Sequence, residues 1–134
     1  MKKITLNLFM AAVAVLCFFG GCEKIQRGQY TGIWDFMVLD WVWSQGSGWK
    51  NDTTYYLGKI SRGATYNKLK IEYKENTTIT MDIDETGTLS KFYKNSFEYA
   101  NGQFNGNDNV QIHLGYDDGA LGGNCGKSIY GTKK

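Results

Sequence analysis

Cys125 and His113 are the side chains best suited to nucleophilic chemistry, a thiol and the chain's single histidine. Such a pair works when the base lies within hydrogen-bond reach of the nucleophile and is itself oriented by a third group, and no third group announces itself near either residue. The acidic run is the next candidate. Asp82, Asp84, Glu85 and Thr86 space oxygen atoms as a calcium loop does, but an EF-hand closes on a bidentate Glu at its twelfth position, and that position here is Tyr93. The run therefore reads as a hairpin turn. Asp117 and Asp118 stand near His113 without the spacing of zinc ligands, and read as solvated polar residues. No convergent nucleophile, base and oxyanion donor emerges, so the expectation is a protein that is not an enzyme and carries no metal and no cofactor.

Recognition chemistry is concentrated instead in the aromatic stretch Tyr30 to Trp43, YTGIWDFMVLDWVW, which holds three of the 4 tryptophans. Aromatic side chains on a strand either fill an all-β core or form the floor of an apolar ligand site. For Trp34 core filling is the better reading. For Trp41, Trp43 and Trp49, together with Tyr55, both readings stand open, and these four are the candidate ligand-binding residues. Alternation places Trp34, Phe36 and Val38 on one side and Ile33, Met37, Leu39, Trp41 and Trp43 on the other. Because Asp35 and Asp40 have opposite parity, the polar side switches near Val38 and Leu39. A bulge or kink is expected there, turning Leu39 to Trp43 inward.

The elements that would position this stretch are short strands. Ser44 to Asp52 reads as a flexible turn containing Trp49, followed by strands over 53–60, 68–74, 77–83, 88–93, 96–104, 110–116 and 127–132. Strand 68–74 alternates Leu69, Ile71 and Tyr73 against Lys68, Lys70, Glu72 and Lys74, and strand 77–83 alternates Ile79, Met81 and Ile83 against Thr78, Thr80 and Asp82. One face of each therefore meets a core and the other meets water. Glu75-Asn76 is a two-residue hairpin link, and 117–126 is a glycine-rich loop. The absence of proline and the abundance of Gly, Asn and Thr fit the same picture. An all-β fold follows, an eight-stranded antiparallel up-and-down meander closed into a barrel.

The first 21 residues stand outside that domain. Lys2 and Lys3 precede an apolar segment from Leu8 to Phe19, too short to span a bilayer and suited to a cleaved signal peptide. Its removal takes two of the 15 basic residues and leaves 13 of each sign. A neutral mature chain of one domain offers no basic face for nucleic acid. Cys17 leaves with the signal, so once Cys22 is spoken for, Cys125 has no disulfide partner.

Phe18-Phe19-Gly20-Gly21-Cys22 resembles the lipobox of bacterial lipoproteins. That resemblance implies an acylated Cys22, a polar tether over 22–29, and a barrel domain over 30–134. Gly32-Ile33-Trp34 is similar to the G-x-W signature of lipocalins and their calycin relatives, which implies that Gly32 and Trp34 plug one barrel end and that a basic residue of the last strand, here Lys127 or Lys133, lies across the tryptophan. The mature region also resembles small Bacteroidetes-type envelope lipoproteins through Y-x-G-x-W (30–34), K-L-x-I-x-Y (68–73), D-x-x-G-x-L (84–89), G-x-F-x-G (102–106) and I-x-G-x-K (129–133). The expectation is a lipid-anchored binding module of the bacterial cell envelope, on the outer membrane with a periplasmic or surface face. It would hold a small hydrophobic or aromatic ligand or a glycan inside the barrel; the alternative is an accessory lipoprotein that docks a partner protein through exposed aromatics.

Overall fold

The computed structural model describes residues 28–44, 46–92, 98–117 and 123–134. The signal segment, Cys22, most of the tether, Tyr93 and Asp118 lie outside the described residues. Eight strands follow in order: β1 (Gly32–Ser44), β2 (Gly48–Arg62), β3 (Lys68–Lys74), β4 (Thr77–Ile83), β5 (Thr88–Phe92), β6 (Glu98–Asn105), β7 (Asn109–Asp117) and β8 (Gly123–Lys133). Each pairs antiparallel with the next, and β1 pairs with β8, so the meander closes into a barrel.

The strands differ in length, and this gives the barrel two unlike ends. β1 and β2 run 13 and 15 residues, whereas β3 and β4 run 7 each. The bounds of β3 and β4 coincide with their sequence alternation. β2, β7 and β8 are longer than turn chemistry foretells. Ser44 pairs with Gly48, so Trp49 to Asp52 belong to β2 and not to a loop. Gly123 likewise opens β8, placing Cys125 on a strand.

The lower half of the barrel is solid. Trp34, Phe36, Val38, Ile60, Leu69, Ile71, Met81, Leu89, Ile112 and Ile129 are all but completely removed from water, as eight strands leave an interior that side chains can just fill. The sequence motifs converge on its closed end. Tyr30 stacks on Phe104 with centroids 4.0 Å apart, and Trp34 meets the same ring edge-on at 5.8 Å. The Trp34 indole N–H donates to the Tyr30 carbonyl at 3.1 Å, and the Phe104 N–H donates to the Gly87 carbonyl at 3.0 Å. Gly32 takes φ 141°, a conformation open to glycine, and lets the chain swing under the plug. Lys133 stands directly opposite Trp34 in the β1–β8 ladder and donates from Nζ to the Gln29 carbonyl at 2.5 Å. Lys127 sits six residues higher on the same strand, so of the two candidates Lys133 occupies the place beside the tryptophan.

Candidate functional site on the outer barrel wall

The expected bulge in β1 does not occur. Its register runs unbroken from Gly32↔Ile60 to Ser44↔Gly48 against β2, and from Trp34↔Lys133 to Ser44↔Gly123 against β8. Alternation therefore persists along the whole strand. Trp34, Phe36, Val38, Asp40 and Val42 face inward, and Met37, Leu39, Trp41 and Trp43 face outward. The expectation that Leu39 to Trp43 turn inward is corrected accordingly, and the wall of the barrel separates Trp41 and Trp43 from Trp34 and Phe36.

Asp40 can face inward because it lies above the apolar plug. It forms an ion pair with Lys127, its direct partner on β8, and the two side chains stay 23% and 37% exposed. Around this pair the mouth opens into a cleft of about 400 Å³ lined by Val42, Glu98, Leu114 and Cys125 and bordered by Trp41 and Tyr99. Asp40 and Lys127 satisfy one another, and the lining around them is largely apolar. Cys125 faces this interior, at the parity of Lys127 and Ile129, whereas His113 faces outward. The ring of His113 is held there between two neighbours. The Gln111 amide nitrogen lies 2.9 Å from Nε2, and since that nitrogen only donates, Nε2 accepts and Nδ1 carries the proton facing Ser128 Oγ at 3.1 Å. Thiol and imidazole thus stand on opposite faces of one sheet.

The acidic run is likewise committed to structure. Asp84 Oδ1 accepts from the Thr86 hydroxyl at 2.7 Å and from the Thr86 and Thr88 N–H groups at 2.9 Å each, closing the β4–β5 turn. These bonds, the Thr86 hydroxyl foremost, hold its carboxyl below the ordinary range. Asp82 accepts from Asn67 and pairs with Lys68. Among the described residues no group of three His, Cys, Asp or Glu side chains is placed to hold a metal ion.

The four candidate aromatics share the outer face, where the three tryptophans cluster and Tyr55 stands apart, six residues along β2 from Trp49. Trp43 is the direct partner of Trp49 across the β1–β2 ladder, and Trp41 meets the Trp49 ring edge-on at 5.7 Å. Tyr55 stands opposite Met37, which is in turn opposite Tyr130 on β8, so three strands contribute one row. Along that row lies a groove of about 580 Å³ between Tyr55 with Leu57 on one bank and Tyr130 with Thr132 on the other, with Asp35, paired to Lys134, at its foot. Trp49, Tyr55 and Leu57 are 63%, 78% and 60% exposed, far more than core side chains tolerate.

Two paired glycines continue the platform around the barrel. Gly126 on β8 faces Gly115 on β7. A methyl group at Gly126 would collide with the Trp41 ring, and one at Gly115 would collide with the Tyr99 ring. The indole and the phenol therefore lie across bare backbone, each covering the glycine beside it, as aromatic residues do when they rescue a glycine in a sheet.

The polar residues of this wall are mostly amides and hydroxyls, the charged exception being Asp35 at the foot of the groove. Between Met37 and Trp43 on β1, Trp49 and Leu57 on β2, Gly126 and Thr132 on β8, and Asn109 and Gly115 on β7, outward positions carry no Lys, Arg, Asp or Glu. They carry Asn51, Thr53, Ser128, Thr132, Gln111 and His113. The opposite wall differs, for β3 turns Lys68, Lys70, Glu72 and Lys74 outward. Sequence reasoning missed Met37, Leu57, Tyr99 and Tyr130 as members of the platform. For Tyr130 the signal was the alternation around Ile129, whose burial sends its neighbour to the outer face. No family model matches the chain, and no curated protein or solved structure matches it either.

Proposed function

We propose that the protein is a non-catalytic binding module, anchored to the bacterial envelope through acylated Cys22, that takes a neutral oligosaccharide on its outer β2–β1–β8–β7 wall. The observation that carries this reading is the union, on one sheet face whose single groove-lining charge, Asp35, is paired with Lys134, of exposed aromatic rings and amide and hydroxyl groups. Apolar C–H faces of sugar rings stack on aromatic planes, and sugar hydroxyls both donate to and accept from Asn, Gln, Ser and Thr. The one charged side chain lining the groove, Asp35, is already paired with Lys134, so a charged ligand would have to compete with that pair. A flat apolar molecule would leave the amides and hydroxyls without partners, at a desolvation cost of about 1–3 kcal/mol for each one buried. The solid lower barrel supports an external site, since a ligand there would have to displace packed side chains.

The experiment is a binding screen of the full-length protein against neutral, acidic and basic oligosaccharides, repeated with Tyr55→Ala and Tyr130→Ala. Binding to at least one neutral oligosaccharide is expected, weakened at least about tenfold by either substitution, a loss of roughly 1.4 kcal/mol. Because both tyrosines stand at the surface, thermal stability is expected to hold. Binding that the two substitutions leave unchanged would reject this wall as the site. The same aromatic face supports a second reading, a docking surface for an envelope protein. Co-purification of a stoichiometric partner, lost in the same variants and accompanied by no carbohydrate binding, would favour it.

A further inference from the structure

Among the described residues, β2 meets β3 only from Lys59↔Glu72 to Arg62↔Leu69, while it pairs with β1 down to Gly48. Above Gly58 the two strands part. The register of β3 shifts between Glu72 and Lys74, and the Tyr56 hydroxyl bridges the widening gap by donating to Glu72 at 2.8 Å. The stretch from Gly48 to Gly58 is therefore laddered on one side and open on the other.

Open edges of this length are templates for another strand, and proteins ordinarily blunt them with proline, bulges or charge. This edge has no proline and no bulge in its pairing with β1. Its two charged side chains, Lys50 and Asp52, are exposed, opposite in sign and two positions apart, so they share one face. That spacing is self-complementary under a two-fold axis. In an antiparallel pair centred on Asn51, Lys50 stands opposite Asp52 of the second copy and Asp52 opposite Lys50 of the second copy, while Trp49 meets Thr53 of the second copy on the outer wall.

We propose that β2 pairs with β2 of a second copy of this chain, antiparallel about Asn51, joining two barrels through one continuous sheet. The contact is isologous, and so closes as a dimer and does not propagate. It rests on the edge and its charges alone, and stands or falls separately from the oligosaccharide reading.

The test uses the full-length chain carrying Asn51→Cys, oxidised gently and compared with the unsubstituted chain and with Thr53→Cys. Residues directly opposite in antiparallel strands bring their Cβ atoms within roughly 4.5–5.5 Å, near disulfide reach. A disulfide-linked dimer is expected from Asn51→Cys and not from Thr53→Cys, whose opposite residue is Trp49. Adding Lys50→Asp sets like charges opposite each other twice and is expected to lower the dimer yield at least about fivefold. Adding Asp52→Lys as well restores both pairs and with them the yield. Melting temperatures, read alongside, are expected to stay level because all the substituted positions are exposed. Dimer from Asn51→Cys no greater than from Thr53→Cys or the unsubstituted chain, or a double charge swap that fails to restore it, would overturn the proposal; a heterologous strand on this edge would give that second result.

Discussion

Single residues in this barrel divide cleanly between those that hold the closed end and those that decorate the wall. Asp84 belongs to the first kind. Its folded pKa is lowered by the Thr86 and Thr88 bonds, so its contribution is fully present above the unfolded value near 3.8 and is lost as the pH falls through the lower folded value. Asp84→Asn removes the charge while keeping one acceptor. The expected result is a lower melting temperature at neutral pH, with the gap to the unsubstituted protein narrowing as both are titrated toward about pH 2. A gap that stays constant across that range would mean the carboxylate's charge does not stabilise the turn. The run from Asp84 to Gly87 was legible as a turn because the calcium pattern breaks at Tyr93. What the sequence could not convey is that Asp84 spends one oxygen on three donors of the same hairpin.

Strands carry the larger lesson. β3 and β4 were readable to the residue, because one face meets the plug and the other meets water. β1 was misread since it is apolar on both faces for two separate reasons: Trp34, Phe36 and Val38 fill the interior, while Met37, Leu39, Trp41 and Trp43 are half-buried members of the outer platform. A rule that assigns apolar residues to the core must then invent a bulge to reconcile Asp35 with Asp40. The ladder to Lys127 removes that need by giving Asp40 an inward partner. The start of β2 was hidden by Gly46, Gly48, Asn51 and Asp52, turn formers by local preference, which the 13-residue pairing partner β1 draws into the ladder. The glycine pair between β7 and β8 permits a sharper test at this scale. Gly126→Ala sets a methyl group against both the Trp41 ring and the rigid Leu114 carbonyl, whereas at Gly115 the obstacle is the ring of Tyr99, which can swing outward. Gly126→Ala is expected to destabilise the barrel by about 1–3 kcal/mol in denaturant melts and Gly115→Ala by clearly less. Equal losses would mean that Tyr99 is held as firmly as backbone.

At the scale of the whole molecule the barrel has a solid end and an open one, and the chain enters at the solid end, where Tyr30, Trp34, Phe104 and Lys133 meet. An anchor at Cys22 would hold that end nearest the membrane and present the aromatic wall sideways, clear of it. The eight-stranded architecture and its plug were both legible, because strand count and the spacing of G-x-W survive without tertiary information. The side of the wall on which Trp41, Trp43 and Trp49 lie was not, because face assignment depends on register with β2 and β8. The 4 tryptophans now provide their own reporters, one inside and three outside. The most direct measurement is fluorine NMR of the full-length protein labelled with fluorotryptophan, titrated with neutral oligosaccharides. The resonances of Trp41, Trp43 and Trp49 are expected to move on binding while that of Trp34 stays fixed; movement of Trp34 with the outer three unmoved would place the ligand within the barrel and contradict an external site.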